Sequence, residues 1–321
     1  MERKTRKQYI KEYNVPDQIA MIRNNRRDPK VCKEDFANKL VVISGATSGI
    51  GYYTARKYAS MGASLLCINR NPKKSEALKA EIESEFGAAC DYKIADLSSM
   101  QDVRQVAEEL RNVKTPIDVL IHNAGVYLTK QELIPEGLDK VFMVQYLSSF
   151  MINQVLLDKL KSQEKARIIL VNSEGHRFVP WGLRVDDLNW EKRRYTGLKS
   201  YGSAKLAQLL SMIVLNDHLK DSGVTVNAMH PGNVKTETGQ ENGPVYRWFK
   251  RNFLDRSLRP ADISAESLYY LGVSGEMEGI SGKFYNLTTE ETPAPPALDK
   301  GAALEIWNKS LLLAGFQEVK N

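Results

Sequence analysis

Residues 40–51 read LVVISGATSGIG, and this stretch indicates the architecture of the whole chain. It begins with an apolar run rich in β-branched residues, typical of a buried strand, and passes into a turn with glycines at positions 45, 49 and 51. Such glycines let the backbone bend tightly and approach a pyrophosphate, and free N–H groups at the start of a following helix favour negative charge. The stretch therefore predicts a strand, a phosphate-binding turn and a helix. Gly-rich turns also occur without nucleotides, so further motifs are needed to assign a function.

The run at 40–43 is the first of several strand-like segments that alternate with helical ones. The others lie at 64–68, 91–94, 117–121, 167–171, 224–229 and 283–286. Helical spacing is clearest at 72–86, 100–112, 136–161, 201–220 and 298–313. Apolar strands that alternate with helices indicate a parallel sheet covered on both faces. The sequence thus predicts an α/β fold, a single Rossmann-type doubly wound parallel sheet of about seven strands with helices on both faces.

The net charge of +6 belongs to the N-terminus. Ten of the 45 Lys and Arg residues but only four of the 39 Asp and Glu residues fall within residues 1–33, so the remainder of the chain is balanced. We predict a basic N-terminal extension over residues 1–38, with a short helix around 18–24, and one α/β domain over residues 39–321. The 3 scattered cysteines fit a reducing compartment, which favours a cytoplasmic location.

Composition argues against several classes of protein. No apolar run approaches the roughly 20 residues that span a bilayer, and residues 1–15 contain no apolar stretch of a secretory signal. Nucleic-acid binding has thin support, because the basic segment holds only Tyr9 and Tyr13 as aromatic residues. The histidines and cysteines show no metal-ligand spacing, so we expect no metal site. For residues 1–33, the sequence leaves open packing on their own subunit, packing on a neighbour in a homodimer, and peripheral contact with an anionic membrane.

A phenol, an ammonium and a hydroxyl are predicted at one edge of the sheet. Tyr201 and Lys205 lie four residues apart on a predicted helix, which places both on one face. An ammonium near a phenol lowers the phenol pKa from about 10, towards a value useful in acid/base chemistry. Ser173 ends the fifth predicted strand, and open parallel sheets bind ligands beyond the carboxyl ends of their strands. Alone, a Tyr-x3-Lys pair is common on helix surfaces; together with Ser173 it indicates a reaction site.

These motifs resemble those of the short-chain dehydrogenase/reductase superfamily. The glycine turn is similar to the family's T-G-x-x-x-G-x-G motif, with Ser44 in place of Thr, and the similarity runs from about residue 39 to residue 316. The resemblance implies an oxidoreductase that interconverts an alcohol and a carbonyl by hydride transfer. It implies Tyr201 as the acid/base, Lys205 as the residue that holds the cofactor ribose, and Ser173 as the hydrogen-bond donor to the substrate oxygen.

The resemblance also assigns the cofactor-binding residues and one departure. Asp96 and Leu97 match the family's adenine contact, the Asn-Ala-Gly motif steadies the central sheet, and the segment from Pro231 to Thr236 resembles the one that binds the nicotinamide carboxamide. The implied cofactor-binding residues are Gly45, Thr47, Ser48, Gly49, Ile50, Gly51, Asn69, Arg70, Asp96, Leu97, Asn123, Ala124, Gly125, Tyr201, Lys205, Pro231, Gly232, Val234 and Thr236. Gln145 stands where many members have an Asn that organises a water path to the Lys, and we include it among the catalytic residues.

Cofactor selectivity is expected at the end of the second strand. NAD enzymes place an acidic residue there, on the adenosine ribose hydroxyls. Here the strand ends in Asn69 and Arg70, so no carboxylate repels a 2′-phosphate and a guanidinium can bind it. This predicts NADP(H) rather than NAD(H). The alternative is that Arg70 and the lysines after it only form a solvated start of a helix.

The segment between Ser173 and Tyr201 resembles one branch of the family. The run VDDLNW at 185–190 and the run AKLA at 204–207 are similar to those of retinol-dehydrogenase-like members. The resemblance implies a lipophilic alcohol or carbonyl substrate of the retinoid or steroid class. Aromatic residues within 242–258 would either line an apolar pocket or pack a lid helix; they are Tyr246, Trp248, Phe249 and Phe253. The alternative function is a catalytically weak nucleotide-binding sensor or scaffold, which only Gln145 favours.

Overall fold

The structure is a computed structural model that describes residues 2–234, 242–243 and 258–316. Thr236 and the four aromatic residues expected near the substrate lie outside the described residues. The strands are β1 (Leu40–Ser44), β2 (Ser64–Asn69), β3 (Cys90–Ile94), β4 (Val119–His122), β5 (Ala166–Val171), β6 (Val224–His230), β7 (Phe284–Asn286) and β8 (Thr289–Glu290). The helices are α1 (Arg6–Glu12), α2 (Val15–Asn24), α3 (Gly49–Ser60), α4 (Pro72–Phe86), α5 (Met100–Arg111), α6 (Lys140–Phe142), α7 (Ser148–Lys161), α8 (Gly197–His218), α9 (Asp262–Val273) and α10 (Lys300–Leu313).

One sheet in the order β3-β2-β1-β4-β5-β6-β7-β8 forms the centre of the domain. The first seven strands in that order pair in parallel, and the order reverses direction between β1 and β4. The predicted α/β doubly wound fold is confirmed. The sheet has eight strands where about seven were expected, because the two-residue β8 turns back antiparallel on β7 after Leu287, a residue with a φ of 54°. A strand of that length leaves no alternating pattern in the sequence.

The two faces of the sheet are covered by different helices, which is why its strands are apolar on both sides. In β1, Val41 and Ile43 face a core built with residues of α3, α4 and α9. Leu40 and Val42 face the opposite core, which contains residues of α5, α7, α8 and α10. Every residue of β1 is buried. This arrangement leaves the carboxyl edge of the strands as the accessible place for a ligand.

Helix boundaries differ from the sequence prediction at two positions that matter for the site. The segment expected as one helix over 136–161 begins at Lys140, where the Asp139 carboxylate accepts a hydrogen bond from the Phe142 N–H at 2.9 Å. It then passes through a π-helical turn, Met143–Leu147, before α7. The helix expected from Tyr201 starts four residues earlier, at Gly197, with Thr196 as its N-cap.

The N-terminal residues pack on the domain. Tyr9 is buried, and its hydroxyl donates to the Asp299 carboxylate at 2.6 Å. Asn24 is buried at the end of α2 and donates to the Glu291 carboxylate at 3.0 Å. The boundary between residues 38 and 39 stays a prediction. Among the described residues, every helix is too short or too polar to cross a bilayer.

Candidate active site

The glycine turn between β1 and α3 has a shape that only glycines allow. Gly45 has a φ of 73°, and a Cβ on Gly51 would lie 2.1 Å from the Gly45 carbonyl oxygen. Ser48, the N-cap of α3, makes no capping hydrogen bond with its side chain. The first N–H groups of α3 therefore remain available to an anion, as a pyrophosphate site requires.

The Asn-Ala-Gly motif after β4 holds this turn in place. The Ser44 hydroxyl accepts hydrogen bonds from the N–H groups of Asn123 at 3.0 Å and Ala124 at 3.1 Å. The Asn123 amide in turn donates to the carbonyl oxygens of Ser44 and Gly45. Both motifs thus form one hydrogen-bonded unit, and the hydroxyl that Ser44 shares with threonine has a structural role.

A cleft of about 920 Å³ runs along the carboxyl edge of the sheet and collects nearly all the predicted site residues. Most of them follow the ends of six parallel strands, while Gln145 comes from the π-helical turn and Tyr201 and Lys205 come from α8, which explains why positions far apart in sequence meet here. The predicted residues that line it are Gly45, Thr47, Ser48, Gly49, Ile50, Asn69, Arg70, Asp96, Leu97, Asn123, Ala124, Gly125, Gln145, Ser173, Tyr201, Lys205, Pro231, Gly232 and Val234. Gly51 instead packs behind the turn, against Gly45 and Asn123.

Ser173, Tyr201 and Lys205 come together in the middle of the cleft. The Tyr201 phenol lies within hydrogen-bonding reach of the Ser173 hydroxyl, which also accepts from the Gly175 N–H at 3.0 Å. The Lys205 Nζ lies 5.8 Å from the centre of the Tyr201 ring and donates to the Val171 carbonyl at 2.7 Å. The three groups expected at one edge of the sheet are therefore neighbours.

Burial governs the protonation of the two titratable groups. It raises the pKa of Tyr201 above its usual value, and the hydrogen bond with Ser173 acts in the opposite direction. Burial lowers the pKa of Lys205 to about 7. The depression of the phenol pKa that the sequence predicted is thus not found in the protein alone, because burial disfavours the charged phenolate.

Gln145 lies in the π-helical turn, against the Asn-Ala-Gly motif. Its Nε2 donates to the Val126 carbonyl at 2.8 Å, and its buried Oε1 has no hydrogen-bond partner among the described residues. A Cβ on Gly125 would lie 2.8 Å from the Gln145 amide, so this glycine makes room for the longer side chain. π-Helical turns inside α-helices are frequent at functional sites.

Sequence analysis missed an amide network beneath the triad. Asn172 donates to the Lys205 carbonyl at 2.9 Å and to the Gln208 Oε1 at 2.8 Å, and Gln208 donates to the Gln145 carbonyl at 3.4 Å. The network joins β5, α8 and the π-helical turn. Asn172 and Gln208 carry no motif, but each lies next to a triad position in sequence or one helical turn from it.

A second feature that the sequence did not predict is an ionic clamp, which we define as Glu174, Arg177 and Glu291. Arg177 pairs with the Glu174 carboxylate and with Glu291 Oε1 at 3.1 Å, and the Glu291 side chain is only 2% exposed. Burial raises the pKa of Glu174 to about 7. The clamp ties the 3-10 turn after Ser173, Glu174–Phe178, to the segment after β8. The i, i+3 spacing of Glu174 and Arg177 was a local signal, whereas Glu291 had none.

Two histidines near the site are buried: His176 lies within this turn, and His230 ends β6. His176 Nδ1 bonds the Ser173 carbonyl at 2.8 Å and its Nε2 accepts from the Ala294 N–H at 3.0 Å, so the ring is neutral, and burial lowers its pKa to about 3. His230 lines the cleft, and burial lowers its pKa to about 4. Within the part of the chain that the structure describes, no group of three His, Cys, Asp or Glu side chains could hold a metal ion.

Comparisons with known proteins point to one family. A family profile described as short chain dehydrogenase matches residues 39–183. Retinol dehydrogenase 13 of Homo sapiens is 33% identical over 89% of this chain and 87% of its own length. Retinol dehydrogenase 14 of Mus musculus is 31% identical over 86% of both chains, and the WW domain-containing oxidoreductase of Danio rerio is 32% identical over 86% of this chain and 68% of its own.

Solved structures share the architecture. A crystal structure of a protein from Mycobacterium paratuberculosis superposes with a TM-score of 0.69 at 26% identity, covering 91% of this chain and 97% of that one. A short chain dehydrogenase from Burkholderia cenocepacia in complex with NADP gives a TM-score of 0.62 at 20% identity, covering 80% of this chain and 99% of that one. At that identity the second likeness concerns the fold alone.

Proposed function

We propose an activity for this chain, which belongs to the short-chain dehydrogenase family and to its retinol-dehydrogenase-like branch. The proposed activity is the interconversion of an alcohol and a carbonyl with NADP(H). The observation that carries the proposal is the grouping of Ser173, Tyr201 and Lys205 in the cleft that the glycine turn closes. Those three side chains are what the reaction needs from the protein, namely a hydrogen-bond donor, an acid/base and a cation.

The cleft fits a dinucleotide. Its volume of about 920 Å³ suits an extended ligand. The glycines at 45, 51 and 125 lack Cβ atoms that would collide with Ala124, with the turn and with Gln145, respectively. The N–H groups at the start of α3 would hold the pyrophosphate. A bound nicotinamide supplies or accepts the hydride.

The chain's own residues would manage the proton and the developing charge. Tyr201 donates its phenolic proton to the carbonyl oxygen in reduction and takes it back in oxidation. Ser173 hydrogen-bonds the same oxygen as negative charge grows on it. Lys205, which has a pKa near 7, can return a proton towards Tyr201 through the ribose hydroxyls it is expected to hold. Gln145 and the amide network below would orient this end of the site.

NADP(H) is proposed over NAD(H) on the residues at the end of β2. Asn69 is buried, its Oδ1 accepts from the Ala46 N–H at 2.9 Å, and the exposed Arg70 follows it at the cleft wall. A guanidinium at this position suits a 2′-phosphate, and the carboxylate that would repel one is replaced by Asn69. Fold relatives from Shigella flexneri and Burkholderia cenocepacia were solved with NADP, which is compatible with this choice.

The proposed substrate is a lipophilic alcohol, aldehyde or ketone of the retinoid or steroid class. Relatives at 31–33% identity carry the name retinol dehydrogenase, and the run that resembles this branch lies between Ser173 and Tyr201 in the structure. The test is an activity screen with NADPH or NADP⁺ and paired substrates of like carbonyl chemistry but different apolar bulk, such as the conjugated aldehydes all-trans-retinal and crotonaldehyde. We expect kcat/KM to rise with apolar bulk; a preference for the small aldehyde would overturn the substrate class.

The runner-up is a nucleotide-binding sensor or scaffold, which Gln145 favours. It predicts tight NADPH binding with no turnover on any carbonyl in the same screen, so one experiment separates the two functions. A cytoplasmic location and a homodimer remain predictions from the sequence.

A further inference from the structure

Helix α2 has three aliphatic residues on the side that faces away from the domain. Val15, Ile19 and Ile22, which we define as the α2 stripe, follow each other at helical spacing and are 66%, 59% and 54% exposed. The opposite side of the helix packs on the domain, and on that side Asn24 is buried and Met21 is partly buried. This is the reverse of a helix that docks on its own core, so packing among the residues that the structure describes does not explain the α2 stripe.

Positive charge accompanies the α2 stripe. Arg23 follows Ile22 directly on α2, Arg26 lies in the turn just after the end of the helix, and both are exposed. Residues 1–33 carry ten basic against four acidic residues, while the rest of the chain is balanced. Exposed aliphatic side chains on a helix, with one arginine beside them and another just beyond the helix end, match an interfacial helix, which inserts its apolar side among lipid chains and places its cations at anionic headgroups.

A second copy of the chain fits this face less well. A two-fold interface pairs the same patch on both subunits, so it would set one positively charged patch against another. Like charges at such an interface oppose association, whereas an anionic bilayer neutralises them. The charge on this face therefore favours a lipid surface as its occupant.

We propose that α2 lies in the interface of an anionic membrane, with the α2 stripe towards the acyl chains and Arg23 and Arg26 at the headgroups. The adjoining α1 ties this helix to the loop after the Ser173 turn: the Tyr13 hydroxyl donates to the Pro180 carbonyl at 3.2 Å, and the Arg6 guanidinium lies 4.4 Å from the Trp181 ring. The membrane-facing helix is thus connected through α1 to the loop that follows the Ser173 turn. The inference stands independently of the proposed activity.

The test is co-sedimentation of the full chain with vesicles of phosphatidylcholine alone or with three parts in ten of phosphatidylserine. We expect the wild type to bind the phosphatidylserine vesicles at least about tenfold more tightly, and to lose most of that binding in high salt. Ile19→Ser/Ile22→Ser should lower binding at least about tenfold, since it removes apolar area from the inserted face. The matched control, Leu133→Ser/Leu312→Ser, changes two residues that are 54% and 62% exposed elsewhere and should bind as the wild type does.

A charge pair completes the design. Arg23→Gln/Arg26→Gln should weaken binding, while Lys114→Gln/Lys161→Gln, with the same loss of net charge on the exposed surface of the domain, should leave it nearly unchanged. All variants should melt at the wild-type temperature, because none of the changed side chains is buried. The proposal would be overturned if the wild type bound both kinds of vesicle equally, or if Ile19→Ser/Ile22→Ser bound as tightly as the wild type. It would also be overturned if the wild type bound no vesicles and the same variant lost a dimer that the wild type forms.

Discussion

Gly175 lies against Tyr201 so closely that a Cβ on it would sit 2.5 Å from Cε1 of the phenol ring. The same hypothetical atom would be 3.3 Å from the Ser173 hydroxyl oxygen. The turn after β5 therefore sets the distance between the two side chains that would meet the reacting oxygen. The position of the Tyr201 ring therefore depends on the absence of a side chain at Gly175.

Gly175→Ala should impair turnover more than cofactor binding. The added methyl group displaces the Tyr201 ring, and misplacement of a reacting group by about 1 Å can cost around 100-fold in rate. We expect kcat to fall at least about tenfold while the Kd for NADPH changes little. Gly275→Ala is the control, since its Cβ would meet nothing closer than 3.8 Å. Steady-state kinetics with unchanged kcat in Gly175→Ala would contradict this reading of the turn.

Arg70→Ala should reduce the preference for NADPH over NADH. Removing the guanidinium leaves a 2′-phosphate without its proposed partner, whereas NADH has no group there to lose. We expect kcat/KM for NADPH to fall at least about tenfold and that for NADH to stay near its wild-type value. Lys79→Ala, which changes a cation on α4 away from the cleft, serves as control. An equal loss of kcat/KM with both cofactors would indicate that Arg70 does not bind the 2′-phosphate.

Lys205 should make folding stability depend on pH. In the unfolded chain its pKa is the ordinary 10.5, and in the protein burial lowers it to about 7. Between these values the unfolded state binds more protons than the folded state, so this residue makes stability rise as the pH increases from 7 to 10. Denaturant titrations of wild type and Lys205→Met at both pH values isolate the effect. We expect the wild type to gain a few kcal/mol at most relative to the variant; a constant difference would mean that the ammonium is not destabilised.

Arg177→Met should destabilise the fold and disturb Ser173 at once. The change leaves the buried Glu291 and Glu174 carboxylates without their shared cation, and breaking a buried pair costs about 3 kcal/mol. Because the clamp holds the turn that follows Ser173, kcat should also fall while NADPH affinity is kept. Arg56→Met removes an arginine that pairs with two glutamates at the surface and should have a much smaller effect on both. Wild-type stability of Arg177→Met would show that the clamp does not hold the turn.

The fold and the triad could be predicted because their signals are local. The glycines at 45, 49 and 51 follow one strand directly, and the spacing of Tyr201 and Lys205 places them on one helical face. Only the position of Ser173 needed a topological rule, that ligands bind beyond the carboxyl ends of parallel strands. These features rest on short-range periodicity and on the regular order of a parallel sheet.

The remaining features depend on contacts between distant positions or on alternatives that are close in energy. Arg177 and Glu291 are 114 residues apart, and no local sequence pattern near either residue predicts that they pair. The π-helical turn at Gln145 needs one extra residue in a helical ladder, which apolar periodicity does not register. The side of α2 that faces solvent follows from how α1 and Asn24 dock, so the sequence alone left three occupants open for it.

Tyr201→Phe gives the sharpest test that the phenol is the acid/base of a hydride transfer. The substitution removes one hydroxyl and leaves the ring that packs against Gly175, so NADPH should bind with nearly its wild-type Kd. Loss of NADPH absorbance with the best carbonyl from the screen should slow at least about 1000-fold. Turnover at the wild-type rate in this variant would contradict the proposed mechanism.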